Sequence, residues 1–432
     1  MAILKGFFAL LRMTRWWVVA NSEYQSTPNG VAYLPTRMPT TELFALIAAA
    51  ISMIVWQVFA LRAAYHGTSI RQLRDVSIPQ PATYPKLSVI VTARNEERMM
   101  EHDLQSLVSL SYPDIEFIVV NDRSSDRTGE IIDRFAKQDE RIKPIHISEL
   151  PDGWLGKVNA LNVATAQATG DFFLFTDADI RFEHDVLERA VALCEAEQLD
   201  HLSMLPADRS QGDRLLLPLF VLAFGALFLV RTKARHIGKK GSMAFTGVGA
   251  FNLVRRSAFE RTPGFEWLKM EVIDDGGLGQ MLKAHGAHSA LLGADGLLSF
   301  EWYGDLKEAI KGLEKNAFAG FANYSYFKGI GMVLAMWAIV LLPPVVAIAL
   351  GSPMLLSVYV FCYFVLPWLV AASMKKTLQT RPLFVALMPV GYFFVSLAVA
   401  NSVWRVWRDG GIRWRDTFYP LAALRSGKRV RL

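Results

Sequence analysis

The sequence predicts an α/β fold with a mostly parallel sheet in the middle of the chain, and transmembrane α-helical segments at both ends. Three observations carry that expectation. Strand-like and helix-like segments alternate from Pro85 to about Tyr326, an order that gives parallel strands joined by right-handed crossovers. Nearly uncharged stretches of bilayer length flank this block on either side. Two acidic pairs, Asp177-Ala178-Asp179 and Asp274-Asp275, fall inside it, where open α/β sheets place their ligands.

Residues 1–20 mix Lys5, Arg12 and Arg15 with Phe7, Phe8, Trp16 and Trp17, so residues 1–41 read as an N-terminal interfacial segment. Leu43 to Tyr65, within a membrane helix at 42–65, is too long and too far from the start for a simple signal peptide. Leu87–Thr92, Ile115–Asn121 and Ile142–Ile147 read as strands, with helices over Arg98–Ser109 and Asp126–Gln138 between them. After Gly170, the run from Asp171 to Thr176 reads as a buried parallel strand. Leu215–Val230 is short for a span and is followed by Arg231, Lys233, Arg235, Lys239 and Lys240. It reads as an interfacial helix at 215–230, with a buried core helix as a nearly equal alternative. This block, 85–326, is the expected soluble domain.

Gly329–Leu350, Pro353–Ser373 and Pro382–Val403 read as further apolar helices, giving two to three spans over 329–404 before a basic tail at 405–432. Arg71 and Arg74 favour a cytoplasmic middle domain, but Lys375, Lys376, Arg381 and the tail also favour that side. Three spans cannot satisfy all of these, so one segment is expected to be interfacial or re-entrant. Pro343-Pro344 and Pro389-Val390-Gly391 mark the expected breaks.

At 432 residues and 52% hydrophobic, the chain has room for one sizeable domain and several spans, and a wholly soluble protein is not expected. The net charge of +6 lies near the apolar segments, which suits anionic headgroups and predicts no nucleic-acid partner. Cys194 and Cys362 offer no disulfide framework, and the eight histidines lack ligand spacing.

The strand ends supply the chemistry. Asp177 and Asp179 can hold a hard divalent cation that clamps a diphosphate, although an acidic strand-to-helix turn is the commoner reading of a lone Asp-x-Asp. Ala93-Arg94-Asn95-Glu96 and Asn121-Asp122 end neighbouring strands and make a plausible nucleotide pocket. There Asp122 can accept from a base while Arg94 and Glu96 fix it by planar hydrogen bonds. Asp126 reads as a helix cap. Gly153 to Asn162 offers glycines for close approach and Lys157 for phosphate charge, but lacks the Walker pattern. Gly247-Val248-Gly249 is no dinucleotide fingerprint; it reads as a strand turn, or as a wall against a sugar. Asp274-Asp275 precedes an amphipathic helix, Leu278 to Ala284, and two adjacent carboxylates exceed what capping needs.

In this order, Val91 to Glu96, Val120-Asn121-Asp122 with Ser125 and Asp126, Gly156-Lys157 with Ala160-Leu161-Asn162, Asp177-Ala178-Asp179, and Asp274-Asp275 with Leu278 resemble glycosyltransferase family 2. These are inverting nucleotide-sugar enzymes of GT-A fold, and the resemblance covers roughly residues 85–325. It implies a DxD site in which Asp179, with Asp177, binds Mn²⁺ or Mg²⁺. It also implies a UDP- or GDP-sugar donor held by Ala93, Arg94, Glu96, Asp122, Lys157, Asp177 and Gly247, and catalysis by Asp275, the base, with Asp274 beside it. The family usually writes Glu-Asp at the last pair. Ser299 to Tyr303 stands where polymerising members carry Gln-x-x-Arg-Trp, which argues against processive synthesis. Tyr303 to Asn316 and the ending Trp414-Arg415-Asp416-Thr417-Phe418-Tyr419 are similar to members that glycosylate ceramide, hopanoid or carotenoid lipids, with Asp416 in place of a glycine. The expectation is transfer of a single sugar to a lipid or lipid-linked acceptor at the cytoplasmic face of a bacterial inner membrane. The rivals are a nucleotide-sensing transporter subunit, a catalytically silent scaffold and a nucleotidyltransferase.

Overall fold

The structure is a computed structural model that describes residues 39–209, 215–294, 296–373 and 381–430. Residues 1–38 of the expected interfacial segment, together with Lys375 and Lys376, lie outside the described residues.

Twelve strands are described: β1 Leu87–Ala93, β2 Ile115–Asp122, β3 Ile142–Ile147, β4 Phe172–Asp177, β5 Arg181–Phe182, β6 His201–Leu205, β7 Ala207–Asp208, β8 Asn252–Arg255, β9 Ser289–Gly293, β10 Leu298–Phe300, β11 Gly411–Trp414 and β12 Thr417–Pro420. The main sheet runs β3-β2-β1-β4-β8-β6-β9. The first four strands are parallel, as expected. The sequence does not announce β8, which enters antiparallel between β4 and β6. β5, β10 and β7 form a small second sheet, and β11 and β12 form a hairpin.

Side chains alternate across a strand, so the sheet builds two cores. Val89, Val91, Phe117, Val119, Phe172 and Leu174 face one side with Met100, Leu104 and Ile132 from covering helices. Ile90, Ile118, Val120, Phe173 and Phe175 face the other, where the core continues without a break into Met53, Trp56, Leu217, Phe220 and Val399 of the apolar helices. Beneath the site, buried Glu116 of β2 accepts from Ser88 of β1, Lys143 of β3 and Thr169 ahead of β4. Burial alone would raise its pKa, yet Lys143, Ser88 and Thr169 hold it down to about 2. Four strands are thereby tied at one end, leaving their C-terminal ends to carry the site.

Among the described residues, four helices are long and apolar enough to cross a membrane: Thr40–Gly67, Leu216–His236, Tyr326–Ala349 and Pro353–Ala372. The second falls where the sequence reads an interfacial helix. Its stretch Leu216–Arg231 packs along Met388–Asp409, where a Cβ on Gly391 would stand 2.0 Å from the Leu219 carbonyl. The expected span Pro382–Val403 is instead a short helix, Pro382–Ala386, followed by Met388–Asp409. That longer helix is held by polar groups: Ser396 accepts from Trp337 at 2.8 Å, and Asn401 donates to Glu314 at 3.0 Å. The segment read as a basic tail folds back as β11, β12 and a short helix, with the Arg429 and Val430 amides on Glu271.

Pro343-Pro344, expected to break a helix, lies inside the continuous Tyr326–Ala349. Proline leaves the carbonyl four residues earlier without a donor. Here the Tyr363 hydroxyl donates to the Ile339 carbonyl at 2.6 Å and the Tyr359 hydroxyl to the Val340 carbonyl at 3.4 Å. Both freed carbonyls are satisfied by the next helix, which allows the proline pair within apolar surroundings. Tyr363→Phe is therefore expected to cost about 1–3 kcal/mol by stranding a buried acceptor, read as a lower melting temperature in detergent. An unchanged melting temperature would show that the Ile339 carbonyl finds another donor.

Candidate active site

The C-terminal ends of β1, β2 and β4 and the start of the helix Asp274–Ala284 open into one cavity of about 920 Å³. Ala93, Arg94, Glu96, Asp122, Lys157, Asp177, Asp179, Gly247, Asp274 and Asp275 all line it. Residues nominated from loops far apart in sequence thus share one space.

The segment Thr246–Ala250 stitches the acidic loops together. The Asp177 amide donates to the Gly249 carbonyl at 3.0 Å, and the Gly249 amide donates to Asp275 Oδ2 at 3.0 Å. A Cβ on Gly249 would lie 2.6 Å from Asp177 Oδ2, and one on Gly247 would lie 1.7 Å from the Asp275 carbonyl. Glycine at 247 is required for close approach of backbone to backbone, and glycine at 249 leaves room for the Asp177 carboxylate. Gly247 reaches the cavity but spends its bareness on Asp275. The helix that starts at Asp274 has Ile273 at its N-cap with no side-chain cap bond. The two aspartates therefore sit in the first turn, where the helix dipole favours negative charge.

Lys157, at the start of the helix Gly156–Gln167, reaches Asp177 Oδ1 at 2.7 Å and Asp274 Oδ2 at 3.4 Å. Burial works against its charge, but Asp177 and Asp274 push its pKa well above the usual lysine value. Burial likewise opposes ionisation of Asp177, yet Lys157, with Lys315 and Arg415 further off, holds its pKa below the ordinary value. Asp179 makes no ion pair among the described residues, and Lys157 offsets its charge only in part. Burial and the Asp177 charge raise its pKa to about 6. Asp275 also rises to about 6, through burial and the neighbouring Asp274.

On the β1–β2 side, buried Asp122 accepts from Arg123 Nε at 2.6 Å and Nη2 at 2.8 Å, with Arg94 Nη1 at 4.0 Å. Gly156 makes room for this pair, since a Cβ there would lie 2.3 Å from the Arg123 guanidinium. Asp126 accepts from the Thr128 amide at 3.0 Å and the Glu97 amide at 3.1 Å, at the starts of two helices.

The β11–β12 hairpin brings residues that sequence reasoning did not place here. Arg415 at its tip pairs with Glu96, and Asp416 lies 3.6 Å from Arg94 Nη2. The Tyr419 hydroxyl accepts from the Gly156 amide at 3.2 Å. Trp414 carries Lys315 over its ring, with Nζ 3.4 Å from the centroid. The available signal was the ending Trp414 to Tyr419, which the sequence marks but does not fold back. Val221, Phe224 and Phe228 of the apolar helix Leu216–Arg231, with Trp302 and Phe321, form an apolar wall of the same cavity.

Residues 88–262 match the family model described as glycosyl transferase family 2. The chain is 43% identical over 97 residues to a probable glycosyltransferase, YdaM, of Bacillus subtilis, covering 22% of this chain and 23% of the relative. It is 33% identical over 147 residues to a beta-monoglucosyldiacylglycerol synthase of Synechocystis, covering 32% of this chain and 30% of the relative. These matches span less than a third of either relative's length. A solved structure of the mannosyltransferase PcManGT from Pyrobaculum calidifontis, in complex with GDP-Man and Mn²⁺, aligns over 83% of this chain and 98% of that one. Its TM-score is 0.50 at 18% identity, a likeness of fold.

Because Gly249 joins both acidic loops, Gly249→Ala is expected to displace Asp177 from Asp275 and to lower sugar transfer by about 100-fold. Melting temperature should be recorded beside turnover. Wild-type turnover in a folded variant would show that the spacing of the two loops is not set by this glycine.

Proposed function

We propose that this chain, which carries a glycosyl transferase family 2 domain over residues 88–262 on a GT-A-like sheet, is an inverting glycosyltransferase. It moves one sugar from a nucleoside-diphosphate sugar, UDP- or GDP-linked, to a lipid or lipid-linked acceptor at the cytoplasmic face of a membrane. The observation that carries this reading is the two-sided cavity. Its polar end holds Asp122, Asp177, Asp179 and Asp275, and its other wall comes from Val221, Phe224 and Phe228 of a helix apolar enough to cross a membrane. A lipid acceptor can lie along such a wall while its hydroxyl reaches the carboxylates. The Synechocystis relative, whose name joins a sugar to a diacylglycerol, supports the acceptor class.

Asp122, with Arg94 and Glu96, receives the base. Asp275 takes the proton of the acceptor hydroxyl, whose oxygen attacks the anomeric carbon in line as the bond to the diphosphate breaks, so the configuration inverts. A carboxyl near pKa 6 in a buried setting is a stronger base than an ordinary aspartate and is still ionised at neutral pH. Lys157 holds Asp177 and Asp274 in place through its two ion pairs. Asp179, with Asp177, is the set that would bind Mn²⁺ or Mg²⁺. The fit rests on Asp179, a hard oxygen donor lining the cavity that makes no ion pair among the described residues and whose pKa stays raised despite the Lys157 charge. Among the described residues no group of three His, Cys, Asp or Glu is placed for a metal, so the remaining ligands would be phosphate oxygens and water. When bound, the ion would offset negative charge on the diphosphate. The Pyrobaculum structure, described with GDP-Man and Mn²⁺, supports that assignment.

Asp275→Asn is expected to cut the transfer rate by about 1,000-fold with donor affinity largely retained, measured with UDP- and GDP-sugars and a membrane-lipid extract. Normal turnover by that variant would remove the base role. A base with a pKa of about 6 is charged above that pH, so kcat/KM should hold at neutral pH and fall as pH drops through about 6. A profile flat to pH 4.5 would contradict the assignment. Asp179→Ala should abolish metal-dependent donor binding, and retained binding would refute its ligand role.

A further inference from the structure

We infer that Lys315, presented across Trp414 of the C-terminal hairpin, is the cation that contacts the donor's diphosphate and takes up its charge as it leaves. This rests on the donor reading above and assigns a residue to its leaving-group side. Lys157, the lysine the sequence offers for phosphate, is already engaged by two carboxylates, Asp177 and Asp274. Of the other cations that line the cavity, Arg415 is engaged by Glu96, Arg94 and Arg123 by Asp122, and Arg181 by Glu301, while Arg231 donates to the Gly320 carbonyl and lies over the Phe321 ring. Among the described residues, Lys315 differs from these in having no carboxylate pair while the charges of Asp274, Asp177 and Asp275 act on it. It lines the cavity from the short helix Glu314–Gly320, partly buried, and its ammonium rests on the face of Trp414. Among the described residues no carboxylate lies within ion-pairing distance of it.

An indole face stabilises an ammonium without neutralising it, so Lys315 keeps its charge available for an anion. The charges that act on it from the same cavity are Lys157, and then Asp274, Asp177 and Asp275. Burial, with the Lys157 charge, lowers its pKa to about 8, which leaves the ammonium form dominant at neutral pH. A diphosphate between these aspartates and Lys315 would meet an unneutralised donor on one side. As the anomeric carbon–oxygen bond breaks, the electron pair stays on the diphosphate oxygen. The Lys315 ammonium then donates a hydrogen bond to that charge, while the acceptor proton moves to Asp275.

The test compares UDP with UMP and GDP with GMP, titrated with MnCl₂ present into the detergent-purified full chain as wild type, Lys315→Ala and Lys315→Arg. Melting temperature is measured on each. Loss of one charge-assisted contact to the second phosphate should reduce the preference for diphosphate over monophosphate by about tenfold in Lys315→Ala. Lys315→Arg should recover most of it. An unchanged preference in Lys315→Ala, or an equal loss for monophosphate and diphosphate, would overturn the assignment. A wild-type protein that binds none of the four nucleotides would overturn the donor site itself. Wild-type diphosphate binding with an unaltered Lys315→Ala would overturn Lys315 alone.

Discussion

The carboxylates of Asp177, Asp179, Asp274 and Asp275, gathered in one cavity, repel one another, and the whole site depends on the backbone that forces them together. Gly249 accepts from the Asp177 amide and donates to the Asp275 side chain, so the end of β4 and the start of the helix Asp274–Ala284 are fixed against each other through one residue. Lys157 supplies the compensating charge between Asp177 and Asp274. Neither device suffices alone, because a lysine balances charge without setting direction, and a glycine sets direction without balancing charge. The remainder, Asp179 and Asp275, keeps raised pKa values near 6. Raised carboxylate pKa values in a cleft are a feature that functional sites share.

The second constraint is that one face of the sheet and the apolar helices share a single core. Ile90, Phe173 and Phe175 belong to the same cluster as Met53, Trp56 and Phe220. The soluble domain is therefore built onto the helices and not tethered to them by a linker. A rigid joint of this kind fixes the height of Asp275 relative to the apolar wall of Phe224 and Phe228. A hydroxyl carried on a long apolar tail would meet the carboxylate at a defined depth.

Much of this could be read from local sequence. The strands at Leu87, Ile115, Ile142 and Phe172 are short, largely apolar segments, unbroken only in the last, and the polar residues that follow each one must lie at the same sheet edge. Hence the nominated donor and acidic residues were found lining one cavity. What local pattern could not supply is pairing between distant segments. β8 holds only Leu253 and Val254 between Asn252 and Arg255, too little to read as a strand, and nothing nearby says that it enters antiparallel between β4 and β6. Arg413, Arg415 and Arg425 suggest a solvated basic tail, and only the fold shows Arg415 on Glu96. Pro343-Pro344 signals a broken helix because the donors that rescue it, Tyr359 and Tyr363, stand on the next helix. Lys315 lies in the stretch Tyr303 to Asn316 that resembles lipid-glycosylating members, but that resemblance assigns it no role. Its role emerges from the ring beneath it and from the engagement of its rivals.

The hairpin β11–β12 follows the apolar helices in the chain and yet walls the cavity opened by β1 and β2 near the domain's beginning. On a growing polypeptide, the ends of β1 and β2 emerge long before Trp414 and Arg415 do. Completion of the pocket must wait for every intervening helix to be threaded and docked. The state of the cavity then becomes a readout of finished assembly. A chain whose later helices have not yet docked would carry the acidic loops but lack this wall.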